Sequence, residues 1–164
     1  MRETWVVNAS PLISLAKIGR LDLLRAAERD VLIPAAVAEE ILAGPAGDLA
    51  SVALTARDLA EPVPTASRVE VVEWGLGAGE TAVLSLALDR GATAVIDDRE
   101  ARAAARSLGV PLIGTLGVVI RARREGRIPS AASVIADLRR VGLRLDDSLL
   151  RQALQQFVGE DWEP

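Results

Sequence analysis

Histidine and cysteine are both absent from this 164-residue chain, so its chemistry must run on carboxylates, hydroxyls, arginine and one lysine, Lys17. That removes the commonest general base and metal ligand, together with disulfides and thiolate zinc sites. Carboxylates remain, and several placed together hold a hard divalent cation through oxygen. The informative acids are Asp97 and Asp98 directly after an apolar run, Glu80 behind a glycine-rich stretch, and the Glu39-Glu40 pair. Asn8 and Ser10 follow the first apolar run and add an amide and a hydroxyl.

Glu80 is the most telling of these. On a helix opening near Gly79 it shares a face with Val83, Leu84 and Ala87, so it stands at the head of an apolar stripe. A carboxylate there needs a partner, because burying one unpaired costs several kcal/mol. A metal ion is one such partner. The other reading is an ordinary first-turn acid favoured by the helix dipole, worth about 0.3–1 kcal/mol. Asp97 and Asp98 can serve as helix N-caps, among the best residues for it, and one can cap while the other faces a cleft. Helical periodicity does not separate Glu39 from Glu40, since both lie well away from the stripe of Val37, Ala38, Ile41 and Leu42.

The segment Gly75-Leu76-Gly77-Ala78-Gly79-Glu80 invites a rival reading, because it follows an expected strand, opens a helix, and is followed 17 to 18 residues later by Asp97-Asp98, nearly the arrangement of a dinucleotide fingerprint. The G-x-G-x-x-G pattern, however, requires glycine where Glu80 stands. A carboxylate at that helix entry repels pyrophosphate and favours a cation.

These groups must be positioned by alternating strands and helices. Strands are expected over 4–7, 31–33, 68–73, 92–96 and 110–113. The first helix is expected to start with Ser10 as N-cap and Pro11 at the first helical position, and to stop at Gly19. Further helices are expected over 20–28, from Pro34-Ala35 to about 42, then over 48–59, 79–88, 99–108, 116–125, 131–141 and 147–158. Strands separated by helices of about ten residues imply βαβ units and a parallel sheet. In such sheets ligands bind beyond the carboxyl ends of the strands, where Asn8, Ser10, Asp97 and Asp98 fall. One domain over 1–164 fits this length. The proline-rich stretch 44–67 reads as an insertion or lid, and 131–158 as C-terminal helices.

Half the residues are apolar, yet the aromatics are only three Trp and one Phe, so Ala, Val, Leu and Ile must build the core. The net charge of −4 argues against a free-standing, non-specific nucleic-acid binder, which draws on phosphate neutralisation. Arg121, Arg123, Arg124 and Arg127 form a local basic cluster that reads as a solvated helix face or as a patch for a polyanion. No stretch reaches the ~18 apolar residues of a membrane span. The expectation is a cytoplasmic protein.

Taken together, Val6-Val7-Asn8-Ala9-Ser10-Pro11-Leu12-Ile13, Val31-Leu32-Ile33-Pro34 with Val37-Ala38-Glu39-Glu40-Ile41, Gly79-Glu80, Ile96-Asp97-Asp98 and Gly114-Thr115-Leu116-Gly117 resemble the PIN-domain superfamily. The resemblance spans residue 6 to about 154 and is strongest to a prokaryotic branch related to toxins of the VapC type. It implies a PIN-like three-layer α/β/α sandwich around a mostly parallel sheet of about four or five strands. It also implies a Mg²⁺- or Mn²⁺-dependent ribonuclease whose four acidic positions fall on Asn8, Glu40, Glu80 and the Asp97-Asp98 pair, with Asp98 the better match. Ser10 matches a hydroxyl that supports the first position, and Thr115 falls nearby as a supporting or substrate contact.

Asn8 departs from the family pattern, which usually has aspartate there; an amide oxygen still touches a hard cation but brings no charge. Two functions follow from the resemblance. One is a metal-dependent ribonuclease, the toxin of a toxin–antitoxin pair, with RNA as substrate and an antitoxin-like protein and a second copy of itself as partners. The other is a catalytically degenerate interaction module that binds a protein partner, using the apolar stretches 12–24 and 131–150.

Overall fold

β1 (Glu3–Val7) is the central strand, and its last three side chains, Trp5, Val6 and Val7, are all fully buried. Consecutive buried residues mean that both faces of the strand are covered, the signature of a parallel sheet between helical layers. The computed structural model describes residues 2–45, 48–56 and 58–164. Five strands form one all-parallel sheet in the order β3-β2-β1-β4-β5, with β2 at Arg29–Pro34, β3 at Pro62–Val63, β4 at Thr93–Val95 and β5 at Leu112–Ile113. The register sets Trp5 beside Val31 on one side and beside Thr93 on the other.

Helices connect and cover the sheet. α1 (Ala9–Lys17), α2 (Ala35–Leu42) and α3 (Leu49–Thr55) pack on one another, and α4 (Val69–Val72) leads into α5 (Ala78–Arg90), which lies against α2 and the central strands. α6 (Arg99–Ser107) packs on β5, and α7 (Thr115–Arg124), α8 (Ala131–Arg140) and α9 (Asp147–Val158) form a second helical group. This is a three-layer α/β/α sandwich. α5 is buried on nearly every side from Thr81 to Ala87, which makes it a core helix rather than an amphipathic surface one.

Three local expectations are corrected. Ser10 is not the first N-cap: the chain turns into α1 directly from β1, with Asn8 in the extended cap position and Pro11 inside the first turn, where its missing N–H breaks no bond. The helix expected over 20–28 shrinks to one 3₁₀ turn, Leu21–Leu24, because the chain turns at Ala26, whose carbonyl accepts the Arg29 N–H at 3.1 Å as β2 begins. The alternating run 68–73 holds the short helix α4 (Val69–Val72), not a strand. Only Val71 is buried there, and the place beside β2 is taken by Pro62–Val63, where a proline is tolerated on a sheet edge.

The 44–67 stretch contains α3, capped by Asp48 and buried through Ala50, Ala53 and Leu54, and β3. Ala46, Gly47 and Arg57, which belong to that stretch, lie outside the described residues.

At the amino end of the sheet Arg29 is 5% exposed and stacks on the Trp5 ring at 3.5 Å. Its guanidinium donates to Glu3 at 3.3 Å, to Glu125 at 3.0 Å and to the Leu24 carbonyl at 3.4 Å, which meets the cost of burying the charge. The C-terminal tail is tied down in the same way. Glu160 accepts hydrogen bonds from the backbone N–H groups of Ala131 and Ala132 and from the Ser130 hydroxyl, and Trp162 donates to Asp147 at 3.0 Å.

Candidate functional site

The strand order reverses between β1 and β4, and at such a switch point the loops leaving the two strands part to form a crevice. Asn8 follows β1; Asp97 and Asp98 follow β4. Because α2 packs on α5, Glu40 and Glu80 reach the same crevice, a cleft of about 370 Å³ lined by all five of these residues and by Ser10.

Glu40, not Glu39, is the member of its pair that lines the cleft. Desolvation, reinforced by the charge of Glu80, pushes its carboxyl above the usual glutamate range. Two glycines make room for the two acids. A β-carbon on Gly79 would stand 2.5 Å from Glu40 Oε2, and one on Gly77 would stand 2.6 Å from Glu80 Oε2. Gly75, with φ +66°, supplies the turn before them. The stretch that resembled a phosphate-binding fingerprint therefore seats carboxylates. Gly77, the N-cap of α5, and Gly79, in its first turn, are site-shaping residues missed from sequence, although for Gly79 a glycine inside a helix, where alanine is preferred, was the available sign.

Asn8 is 3% exposed, and its side-chain Nδ2 donates to Glu80 Oε1 at 3.5 Å. Its Oδ1 is buried and accepts no hydrogen bond among the described residues. That oxygen would lie 3.4 Å from a β-carbon on Gly79, next to Glu40 Oε2. A buried acceptor left unmatched costs about 1–3 kcal/mol.

Asp97 and Asp98 divide their roles. Asp97 accepts the Thr115 backbone N–H at 2.7 Å and its hydroxyl at 2.6 Å, which anchors the start of α7 to the end of β4. Asp98 is the N-cap of α6, with Oδ2 accepting the Ala101 N–H at 2.9 Å. Thr115 is fully buried, and its side-chain hydroxyl and backbone N–H both donate to Asp97. Ser10 is exposed at the cleft wall. The α8–α9 loop adds Gly142, Leu143 and Arg144 to the rim, and no local sequence signal announced them.

The donors are all oxygens, the set that suits a hard cation such as Mg²⁺. Glu40, Glu80 and the unmatched Asn8 oxygen fit such an ion, which often keeps several waters and takes only one or two carboxylates. Among the described residues, no three acidic side chains converge into a tight cluster. Two carboxylates facing each other repel, and both Asp97 oxygens are engaged by Thr115.

A family model described as PIN domain, DUF3368, matches residues 4–159. The chain belongs to this PIN-domain family. PIN domains have a nuclease-type fold and generally use divalent metals. No curated protein matches. The crystal structure of PAE2754 from Pyrobaculum aerophilum superposes with a TM-score of 0.51 at 18% identity, covering 76% of this chain and 99% of that one. That likeness concerns the fold. No helix among the described residues of this PIN domain is long and apolar enough to cross a membrane.

Proposed function

We propose that this PIN domain is a Mg²⁺- or Mn²⁺-dependent endoribonuclease, the toxin of a toxin–antitoxin pair. The observation that carries the reading is the buried Asn8 Oδ1, unmatched by any donor among the described residues, on an amide whose Nδ2 meets Glu80 and beside a Glu40 carboxyl raised by desolvation and by Glu80. A cation would satisfy all three at once.

In this reading Glu40, Glu80 and the Asn8 amide oxygen hold the ion, and Asp98 adds negative charge from the α6 cap. The ion would supply an acidified water and neutralise charge on the phosphoryl oxygens. Water would attack phosphorus, forming the new P–O bond as the P–O bond to the leaving ribose oxygen breaks; the proton lost by the water passes to solvent or to a carboxylate of the cleft, and the leaving oxygen takes a proton from solvent to become a hydroxyl. Asp97 and Thr115 hold the β4 and α7 ends in register. Gly77 and Gly79 let the two glutamates approach.

The test is purified protein incubated with mixed RNA and Mn²⁺, with calorimetry in parallel. Cleavage and ion binding, both lost in Glu80→Gln, are expected. Neither cleavage nor ion binding in the wild type would refute the proposal.

The neutrality of Asn8 and the absence of a tight three-acid cluster among the described residues favour a second reading, a degenerate module that binds an antitoxin-like protein or a second copy of itself. An ion-free protein that forms a stable dimer would support it.

A further inference from the structure

A groove of about 640 Å³ opens beside the carboxylate cleft and shares Asp97, Leu143 and Arg144 with it. One wall is the exposed face of α6, where Arg99, Arg102 and Arg106 follow at i, i+3 and i+7 while Ala101, Ala104 and Ala105 point into the core. The other wall is α9, where Leu149 and Phe157 stand on one face, 47% and 48% exposed.

In the basic cluster of α7, Arg121 pairs with Glu3 and Glu125, Arg123 with Glu160, and Arg127 with Glu125. None of Arg99, Arg102, Arg106 and Arg144 has an ion-pair partner among the described residues. Lys17, Arg25, Arg90 and Arg124 also lack an ion-pair partner among the described residues, but this groove gathers four such arginines in one place. An acidic protein has thus kept a strip of uncompensated guanidinium next to its acidic cleft. Arg102 also donates to the Ile96 carbonyl at 3.3 Å, which fixes it at the junction between the two.

We propose that this groove binds single-stranded RNA, with phosphates on Arg99, Arg102, Arg106 and Arg144 and an unpaired base on Phe157 and Leu149, leading the strand into the carboxylate cleft. The inference rests on the ribonuclease reading for its occupant. Charge complementarity selects a polyanion, and the apolar wall selects one with exposed base faces. A duplex offers phosphates but keeps its bases stacked inside, whereas single strands combine a basic track with aromatic stacking.

The test uses a fluorescein-labelled single-stranded RNA of about 12 nucleotides and its duplex form, measured by anisotropy in EDTA so that nothing is cleaved. The single strand is expected to bind more tightly than the duplex. Arg102→Gln with Arg106→Gln should lower the slope of log affinity against log salt by about 1.4, at roughly 0.7 per lost contact. Phe157→Ala should weaken binding by about 5- to 100-fold, whereas Arg124→Gln, outside the groove, should bind like the wild type. Thermal melts check that each variant is folded. Groove variants that bind like Arg124→Gln, equal affinity for duplex, or an acidic peptide bound in place of RNA would each overturn the inference. The two readings fail separately: groove-dependent binding without cleavage in Mn²⁺ refutes only the nuclease, and cleavage unaffected by the groove variants refutes only the groove.

Discussion

The carboxylate of Glu40 rests on the α-carbon of Gly79, so closely that a β-carbon there would come within 2.5 Å of Glu40 Oε2. Gly79→Ala therefore separates fold from site. Alanine favours a helix by about 0.5–1 kcal/mol over glycine, and the obstructing atom is the free end of a flexible side chain. The variant should melt roughly 2 °C higher while binding Mn²⁺ at least about tenfold more weakly. Unchanged Mn²⁺ affinity in calorimetry would show that Glu40 is not a ligand.

Asn8→Asp adds a fifth carboxylate to a cleft already lined by four. In EDTA it should lose about 2 kcal/mol of stability, because the new carboxylate is buried among like charges. With Mn²⁺ present the loss should reverse, and affinity should rise at least about tenfold. Melting curves with and without the ion read both effects. Equal behaviour of the two proteins would mean that the amide already serves fully.

Asp98→Asn removes a charge but keeps a capping oxygen, since asparagine caps helices as well as aspartate does. Its melting temperature should stay within about 2 °C while divalent-ion affinity falls. Thr115→Val does the opposite. It strips one of the two bonds to Asp97 at a buried position and should cost roughly 1–3 kcal/mol. If Asp98→Asn binds ions normally, the acid contributes only its cap.

Two glutamates give pH responses of opposite sign. Glu160 is half-buried, and desolvation alone would raise its pKa, but the Ala131 and Ala132 amides, Ser130 and Arg123 outweigh that and hold it below the usual range. Its stabilisation is present above the unfolded-state value and is lost as pH falls through the lowered one, so the tail should loosen in acid. Glu160→Gln should flatten that loss. Glu40, raised by desolvation and by Glu80, behaves the other way. In ion-free protein its contribution is full below the ordinary glutamate value and disappears as pH rises through the raised one. Ion binding competes with that proton, so Mn²⁺ affinity should fall on acidification through the same window. Trp162 fluorescence follows the tail, and calorimetry at stepped pH follows the ion.

The sandwich was legible in the sequence because its strong signals are local: the β-branched runs before Asn8 and Asp97, and the glycine stops after α6 and α7. The run 68–73 misled because its valine alternation matches a strand while the competition for the edge of β2 is tertiary. Glu40 was unresolvable by period, since its direction depends on where α5 packs. Arginine clustering pointed to α7, where Arg121 and Arg123 are paired with acids distant in sequence, Glu3 and Glu160. The groove's uncompensated arginines are spread over α6 and the α8–α9 loop, and only folding assembles them.

β1 carries one last consequence. Trp5, Val6 and Val7 are locked between two neighbouring strands and buried on both faces, and Asn8 continues the ladder by donating its backbone N–H to the Val95 carbonyl at 3.0 Å. Sliding this residue by one place would turn the strand's core side chains over. Position 8 is a fixed address. Mutation can rewrite its charge but cannot relocate it, so one exchange between amide and acid can tune the cleft while leaving its architecture intact.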